Sequence, residues 1–315
     1  MVAIGQSVSV AGGKMFTVKK QQTKKPTTML DTNNTDSSRQ PNQKGQTMNQ
    51  PFATIRPEIP RDHYNRPLVT PPEGGKAKGY TRCTTFVGAT EDLFTLQQWE
   101  KRIVALGLAA RPDLIQTIAG HPTDNKVLNQ VCADAKVAAN GSRAADIGTA
   151  IHGYTEIIDG GGSMDQIPAE YRADLEAYAR ATESFDHEHI EQFMVHDEMS
   201  IGGTPDRISR TKDGRLMIMD VKTGGRAGEK LLGIGKMAQQ LAVYSRSVKY
   251  DFETNTRTDL GIETAVGVII HLPAGAGQCD LITLDLNLGW EGVKLCADIY
   301  AHRKAKFIAS EAVVS

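Results

Sequence analysis

The dipeptide Asp213-Gly214 constrains this chain more than any other feature of it. Asp-Gly between two apolar-alternating runs is the strongest short-range hairpin signal, because the tight turns that match strand twist need residues tolerant of positive φ. The first run passes through Gly203-Thr204-Pro205-Asp206-Arg207-Ile208, and the second reads Met217-Ile218-Met219-Asp220-Val221-Lys222-Thr223. Residues two apart on a strand share a face, so Asp220 and Lys222 point the same way. Asp206 reaches that face from the neighbouring strand. Two acids and an amine on a rigid hairpin suit a Mg²⁺ ion and a phosphate; they equally suit a solvated, salt-bridged hairpin.

Acid-x-Lys is a weak pattern alone, since charged residues make up about a quarter of an average chain. Pro112-Asp113 followed by Asp134-Ala135-Lys136 repeats the residue types in the same order. That copy lies in segments with helical periodicity, where residues two apart do not share a face. Only the hairpin copy holds its groups together.

Around the hairpin, apolar periodicity predicts an α/β (α+β) fold: a mixed β-sheet flanked by helices, with a helical N-terminal part. Thr90 is placed to cap a helix through Leu106, with Leu96, Trp99, Ile103 and Leu106 inward. Shorter helices follow over 112–119 and 124–139. Ser142 starts a helix to Ile158 with Ile147, Ile151, Tyr154 and Ile158 as its stripe, and Pro168 opens another to Phe185. The period then becomes two, and 189–195, 201–210 and 215–223 read as three successive antiparallel strands. A helix over 229–248, strands over 263–272 and 279–286, and a helix over 289–308 complete the order.

Residues 1–80 carry 12 Lys/Arg against 5 Asp/Glu and hold 8 of the 13 prolines, whereas the remaining 235 carry 24 against 32. Such a segment buries too little apolar surface to offset chain entropy. The expected organisation is therefore a disordered basic tail over 1–75 and a folded body over 76–315. Within that body a helical part covers about 81–140 and a core about 141–310. The tail reads as solubilising or as a loose, salt-sensitive DNA tether. Cys83, Cys132, Cys279 and Cys296 form no C-x-x-C pair, which argues against a zinc ribbon and for four buried free thiols in a reducing compartment. There is no apolar run of membrane-spanning length and no secretory leader pattern, so the expected location is the cytoplasm. Residues 203–236 carry eight Lys/Arg against four acids, and residues 151–200 two against twelve. A basic patch around one carboxylate cluster points to a polyanion.

His152 shares a helix face with Gly148 and Glu156, the glycine removing bulk beside the imidazole; an ordinary surface histidine is the other reading. Gln240 and Tyr244, with Lys236 a turn earlier, either line a phosphate backbone or form a plain surface pair.

Taken in order, Gly148-x-x-x-His152, Gly203-Thr204-Pro205-Asp206, Asp220-Val221-Lys222-Thr223 and Gln240-x-x-x-Tyr244 resemble the PD-(D/E)xK nuclease superfamily, in its RecB-like and phage-exonuclease branch. The resemblance covers about 140–250, with a weaker echo at Cys83-Thr84-Thr85 and the Trp99 helix. It implies a restriction-endonuclease-like core in which His152, Asp206, Asp220 and the Val221 carbonyl bind metal. Lys222 would position or deprotonate the attacking water. Gln240, Tyr244, Lys236 and Thr204 would lie on DNA, and Glu156 and Glu191 would be accessory acids. The implied cofactor is Mg²⁺, with Mn²⁺ substituting, and no iron–sulfur cluster is expected because the four-cysteine set of some relatives is missing. The implied activity is an exonuclease on linear DNA in phage-type recombination or repair. The alternatives are a structure-specific endonuclease and a catalytically inactive DNA-binding module. DNA is the expected partner, a single-strand annealing protein a further one in a bacterial host cytoplasm, and nothing in the sequence specifies an oligomer.

Overall fold

A computed structural model describes residues 58–226, 228–229 and 231–305. Strands β1 (Leu68–Val69), β2 (Lys78–Gly79) and β3 (Thr81–Arg82) precede helix α1 (Cys83–Val87) and a 3₁₀ turn (Gly88–Thr90). Helices α2 (Phe94–Ala110), α3 (Pro112–Gly120), α4 (Asn125–Ala138), α5 (Arg143–Asp159) and α6 (Ala169–Thr182) follow. Then come β4 (Phe185–Ile190), β5 (Met194–His196), β6 (Ile201–Gly203), β7 (Arg207–Thr211) and β8 (Leu216–Lys222). Helix α7 (Ile234–Ser245), strands β9 (Val248–Tyr250), β10 (Arg257–Thr258), β11 (Val266–His271) and β12 (Asp280–Asp285), and helix α8 (Leu286–Arg303) complete the order.

The Asp213-Gly214 turn forms as its residues require, with Gly214 at φ 87° and Thr211 N–H bonded to Arg215 O at 2.9 Å. It joins β7 to β8 in an antiparallel ladder from Arg207↔Met219 to Arg210↔Leu216. β8 pairs parallel with β11, and the central sheet runs β12-β11-β8-β7-β4, mixed as expected. β8 sits mid-sheet because it is apolar on both faces, the mark of a strand covered on both sides. Leu216 and Ile218 pack with Leu241 of α7 and Val293 of α8. Met217, Met219 and Val221 pack on the other face with Ile151 of α5 and Leu175 and Tyr178 of α6. Asp220 and Lys222 continue the Leu216/Ile218 row, towards α7.

Two expected strands are each divided between sheets. A second sheet, β10-β9-β5-β6-β3, takes β5 and β6, while β4 and β7 join the central one. The first break follows Ile190, where Glu191 adopts the left-handed region at φ 54°. The second is at Thr204-Pro205-Asp206, where proline has no N–H to continue a ladder. Asp206 therefore stands just before β7, where the chain crosses between sheets, and not inside a strand.

Thr90 does not cap α2; it ends the 3₁₀ turn, and Asp92 Oδ1 accepts Phe94 N–H at 2.9 Å where the helix begins. Leu96, Trp99 and Leu106 are exposed, contrary to expectation. α2 turns Gly107 inward instead, where an added Cβ would lie 1.8 Å from the Ala135 carbonyl oxygen of α4. Backbone contact at that glycine brings Val104 and Leu108 onto a small core of Leu114, Val131 and Ala135. α6 ends at Thr182, and α7 begins at Ile234 because Gly233 is left-handed at φ 75°.

Most of the expected tail, 1–57, lies outside the described residues. The rest of it is built into the body, in correction of the expected boundary at 75: Val69 is fully buried beside Tyr80, Phe193, Val195 and Tyr250, and Arg257 donates to the Thr70 carbonyl at 2.7 Å. Cys83 and Cys296 are buried, but Cys279 is half-buried and Cys132 exposed, so the thiols do not form one buried set. No single helix among the described residues is long and apolar enough to cross a membrane.

Candidate active site

The ladder that pairs Arg207 with Met219 sets Asp206 opposite Asp220 one step further on. β7 has ended there, so Val221 has no ladder partner on that edge. Asp206 Oδ2 takes its place and accepts the Val221 N–H at 2.7 Å. The N–H and C=O of one residue leave an extended strand by the same edge, so the Val221 carbonyl faces the same side. Asp220, 3% exposed, accepts from Gln240 Nε2 at 3.1 Å through Oδ1, and Lys222 Nζ lies against Oδ2. The upstream copy disperses as helical spacing requires: Asp113 pairs with Arg111, and Lys136 with Glu100.

α5 brings His152 to the cluster, its Nδ1 3.4 Å from Asp206 Oδ2. Gly148 makes room for a different neighbour than expected. A Cβ there would lie 2.8 Å from Thr223 Oγ1, so the glycine lets α5 close on the end of β8 and does not clear the imidazole. Glu156, one turn beyond His152, is near enough to act on the charges of both His152 and Asp206.

Burial lifts the Asp220 carboxyl to about 6, and the Asp206 charge adds to the rise. Burial raises Asp206 as well, against the pull of Lys222 and the Val221 N–H. Burial lowers His152; Asp220 opposes this and Lys222 and Arg207 reinforce it, which keeps the imidazole neutral, as a metal ligand must be. For Lys222 burial works downward, but Asp220 and Asp206 outweigh it and the net shift is upward. Lys222 is thus an ammonium.

Among the described residues no three His, Cys, Asp or Glu side chains are set as they stand to hold a metal ion, so the expected ligand set is not a preformed cage. The Lys222 ammonium stands where a cation would bind Asp220. Asp220 Oδ2 is buried with that ammonium as its ion-pair partner, and the charge of Asp206 beside it raises the cost of ionising both carboxylates. Two carboxylates, a neutral imidazole and a free-edge carbonyl fit a divalent ion of the Mg²⁺ or Mn²⁺ type.

Residues 161–277 match the family model of the PD-(D/E)XK nuclease superfamily, a span that contains Asp206, Asp220, Lys222, Gln240 and Tyr244. Over that span, rather more than a third of its length, the chain is similar to this nuclease superfamily. No curated protein matches it. Superfamily nucleases generally use divalent metals such as Mg²⁺, in keeping with the donor set at the end of β8. His152 and Glu156 lie N-terminal to the matched span and reach the carboxylate cluster through α5.

The residues expected on DNA are placed unequally. Gln240 is buried and bonded to Asp220, so it orients a carboxylate and does not face outward. Tyr244 is buried at the base of a cleft of about 210 Å³, which Thr204, Arg61, Arg82, Cys83 and Gly203 also line. Gly203 is needed there, since a Cβ would lie 2.5 Å from the Tyr244 hydroxyl. Lys236 is drawn to Glu91 at 2.7 Å. Glu191 is beside the site by its backbone, its N–H donating to the Asp206 carbonyl at 3.0 Å.

The basic patch read from sequence is largely neutralised. Arg207 is buried against Asp159, Arg210 meets Glu188, Arg215 meets Asp213 and Arg226 meets Glu229. Sequence reasoning missed Arg207, Asp159, Thr155 and Tyr178, which form a bonded group behind the carboxylates. The one local signal is the arginine that directly follows Asp206, which by composition alone reads as surface charge.

Proposed function

We propose that the chain is a metal-dependent deoxyribonuclease that acts as an exonuclease on linear DNA in recombination or repair. The observation that carries this reading is the meeting of Asp206, Asp220 and Lys222 at the free end of β8, with His152 delivered from α5. Phosphodiesters resist attack because their charge repels nucleophiles and the departing 3′ oxygen leaves poorly. A divalent ion held by Asp206, Asp220, His152 and the Val221 carbonyl would neutralise that charge and acidify a bound water. With Asp220 engaged by such an ion, the Lys222 ammonium would be free to set positive charge on the attacked phosphate and to orient the water, in keeping with a group held protonated. Gln240 fixes the Asp220 carboxylate, and Glu156 and Glu191 add acidic groups at the margin. The cleft lined by Thr204, Tyr244, Arg61 and Arg82 is the nearest path for a strand. Lys236 reaches DNA only by leaving Glu91. A cytoplasmic setting and a single-strand annealing partner are consistent with this role.

The purified chain should be incubated with Mg²⁺ and blunt linear duplex, covalently closed circles or single-stranded DNA. Loss of linear duplex with intact circles is the expected result. Cut circles would replace the exonuclease with an endonuclease, and binding without cleavage would leave a DNA-binding module.

A further inference from the structure

Arg207 is 1% exposed, and all three arms of its guanidinium are used. Nε donates to Asp159 Oδ2 at 2.5 Å, Nη1 to the Asp206 carbonyl at 2.7 Å and Nη2 to Thr155 Oγ1 at 3.0 Å. The Thr155 hydroxyl in turn donates to the His152 carbonyl at 2.8 Å. Asp159 is held from behind by the Tyr178 hydroxyl at 2.6 Å, with His187 Nε2 3.6 Å from its other oxygen. A buried ion pair is not needed for stability, since well-packed apolar residues of similar volume often serve as well. A planar fork does something they cannot: it fixes three points at set distances and angles. Here those points are the backbone of Asp206, the helix turn that carries His152, and the C-terminal end of α5.

We propose that Arg207, anchored by Asp159 and relayed through Thr155, is a positioning residue that sets His152 and Asp206 at the separation a divalent metal requires. The inference rests on the nuclease reading above. Arg207 touches neither substrate nor metal; it acts by holding two ligands that arrive on different elements. Removing partners of this kind typically costs ~10–100-fold in metal affinity, without removing a ligand.

The test is Mn²⁺ binding to the full chain without DNA, followed by calorimetry and by the electron paramagnetic resonance signal of free Mn²⁺. Arg207→Lys keeps the charge and loses the fork, and Thr155→Val removes only the relay; each should weaken Mn²⁺ binding ~10–100-fold. Thr155→Ser, which keeps the hydroxyl, should restore it. Asp197→Asn is the structural control: its carboxylate accepts from the Tyr80 hydroxyl at 2.7 Å and from Arg257 Nε at 2.6 Å, beside the second sheet. It should lower the melting temperature and leave Mn²⁺ affinity unchanged. Folded Arg207→Lys and Thr155→Val proteins with wild-type Mn²⁺ affinity would overturn the proposal. If Arg207→Lys does not fold, the Thr155→Val and Thr155→Ser pair decides. A wild type that neither binds Mn²⁺ nor cuts DNA would overturn the nuclease reading itself, and this inference with it.

Discussion

Asp220 carries a charge that its surroundings resist. Burial first and Asp206 second raise its carboxyl to about 6, so the folded chain holds this proton more tightly than the unfolded one does. Stability from that proton is complete below the unfolded carboxylate value of about 3.9 and is lost as pH rises through about 6. Asp220→Asn has no proton to lose there. In the absence of metal its melting temperature should therefore gain on wild type as pH rises from about 4 through about 6 and hold that gap above it, and added Mg²⁺ should narrow the gap at the upper end. Thermal melts in chelator across that range check this, and a gap independent of pH would contradict it. The same residues show what was legible at this scale. Asp220 and Lys222 were readable because a strand's period of two fixes their common face. Arg207 was not, because nothing local tells a buried arginine from a solvated one; Asp159, its partner, lies on a different element.

Elements were legible where a pattern is complete within one segment and obscure where a neighbour decides. β8 and α5 came through because their apolar rows are long and regular. The strands expected over 189–195 and 201–210 were each split between sheets, since the sequence shows alternation but not which sheet a residue pairs with. Pro205 was the local sign of the second break. The inner face of α2 was misjudged because hydrophobicity pointed to Leu96, Trp99 and Leu106, whereas contact is made through Gly107. Gly107→Ala would place its Cβ 1.8 Å from the Ala135 carbonyl oxygen, so α2 and α4 must separate. We expect a loss of about 1–3 kcal/mol in chemical denaturation, the scale of overpacking, and a far smaller effect from Trp99→Ala on the exposed face. Equal losses for the two would show that the helix faces are assigned wrongly.

At the scale of the whole molecule, a mixed sheet between two helical layers gathers groups that are far apart in sequence. α5 on one face supplies His152 and α7 on the other supplies Gln240, and both reach the end of β8, where the neighbouring strand stops short. Net charge was a poor guide at this scale: the basic excess near the hairpin is mostly spent in ion pairs, and the arginines beside the cleft, Arg61 and Arg82, come from the part of the chain read as tail or its margin. The order of motifs was the better guide, because order along the chain becomes position in the sheet. The most direct measurement is Mg²⁺-dependent hydrolysis of linear duplex DNA by wild type, Asp220→Ala and Lys222→Ala, each first shown to be folded. A nuclease centred on this cluster predicts cleavage by wild type and losses of at least ~10²–10³-fold in both variants, the scale of removing one key electrostatic group. Wild-type rates in Asp220→Ala would contradict it.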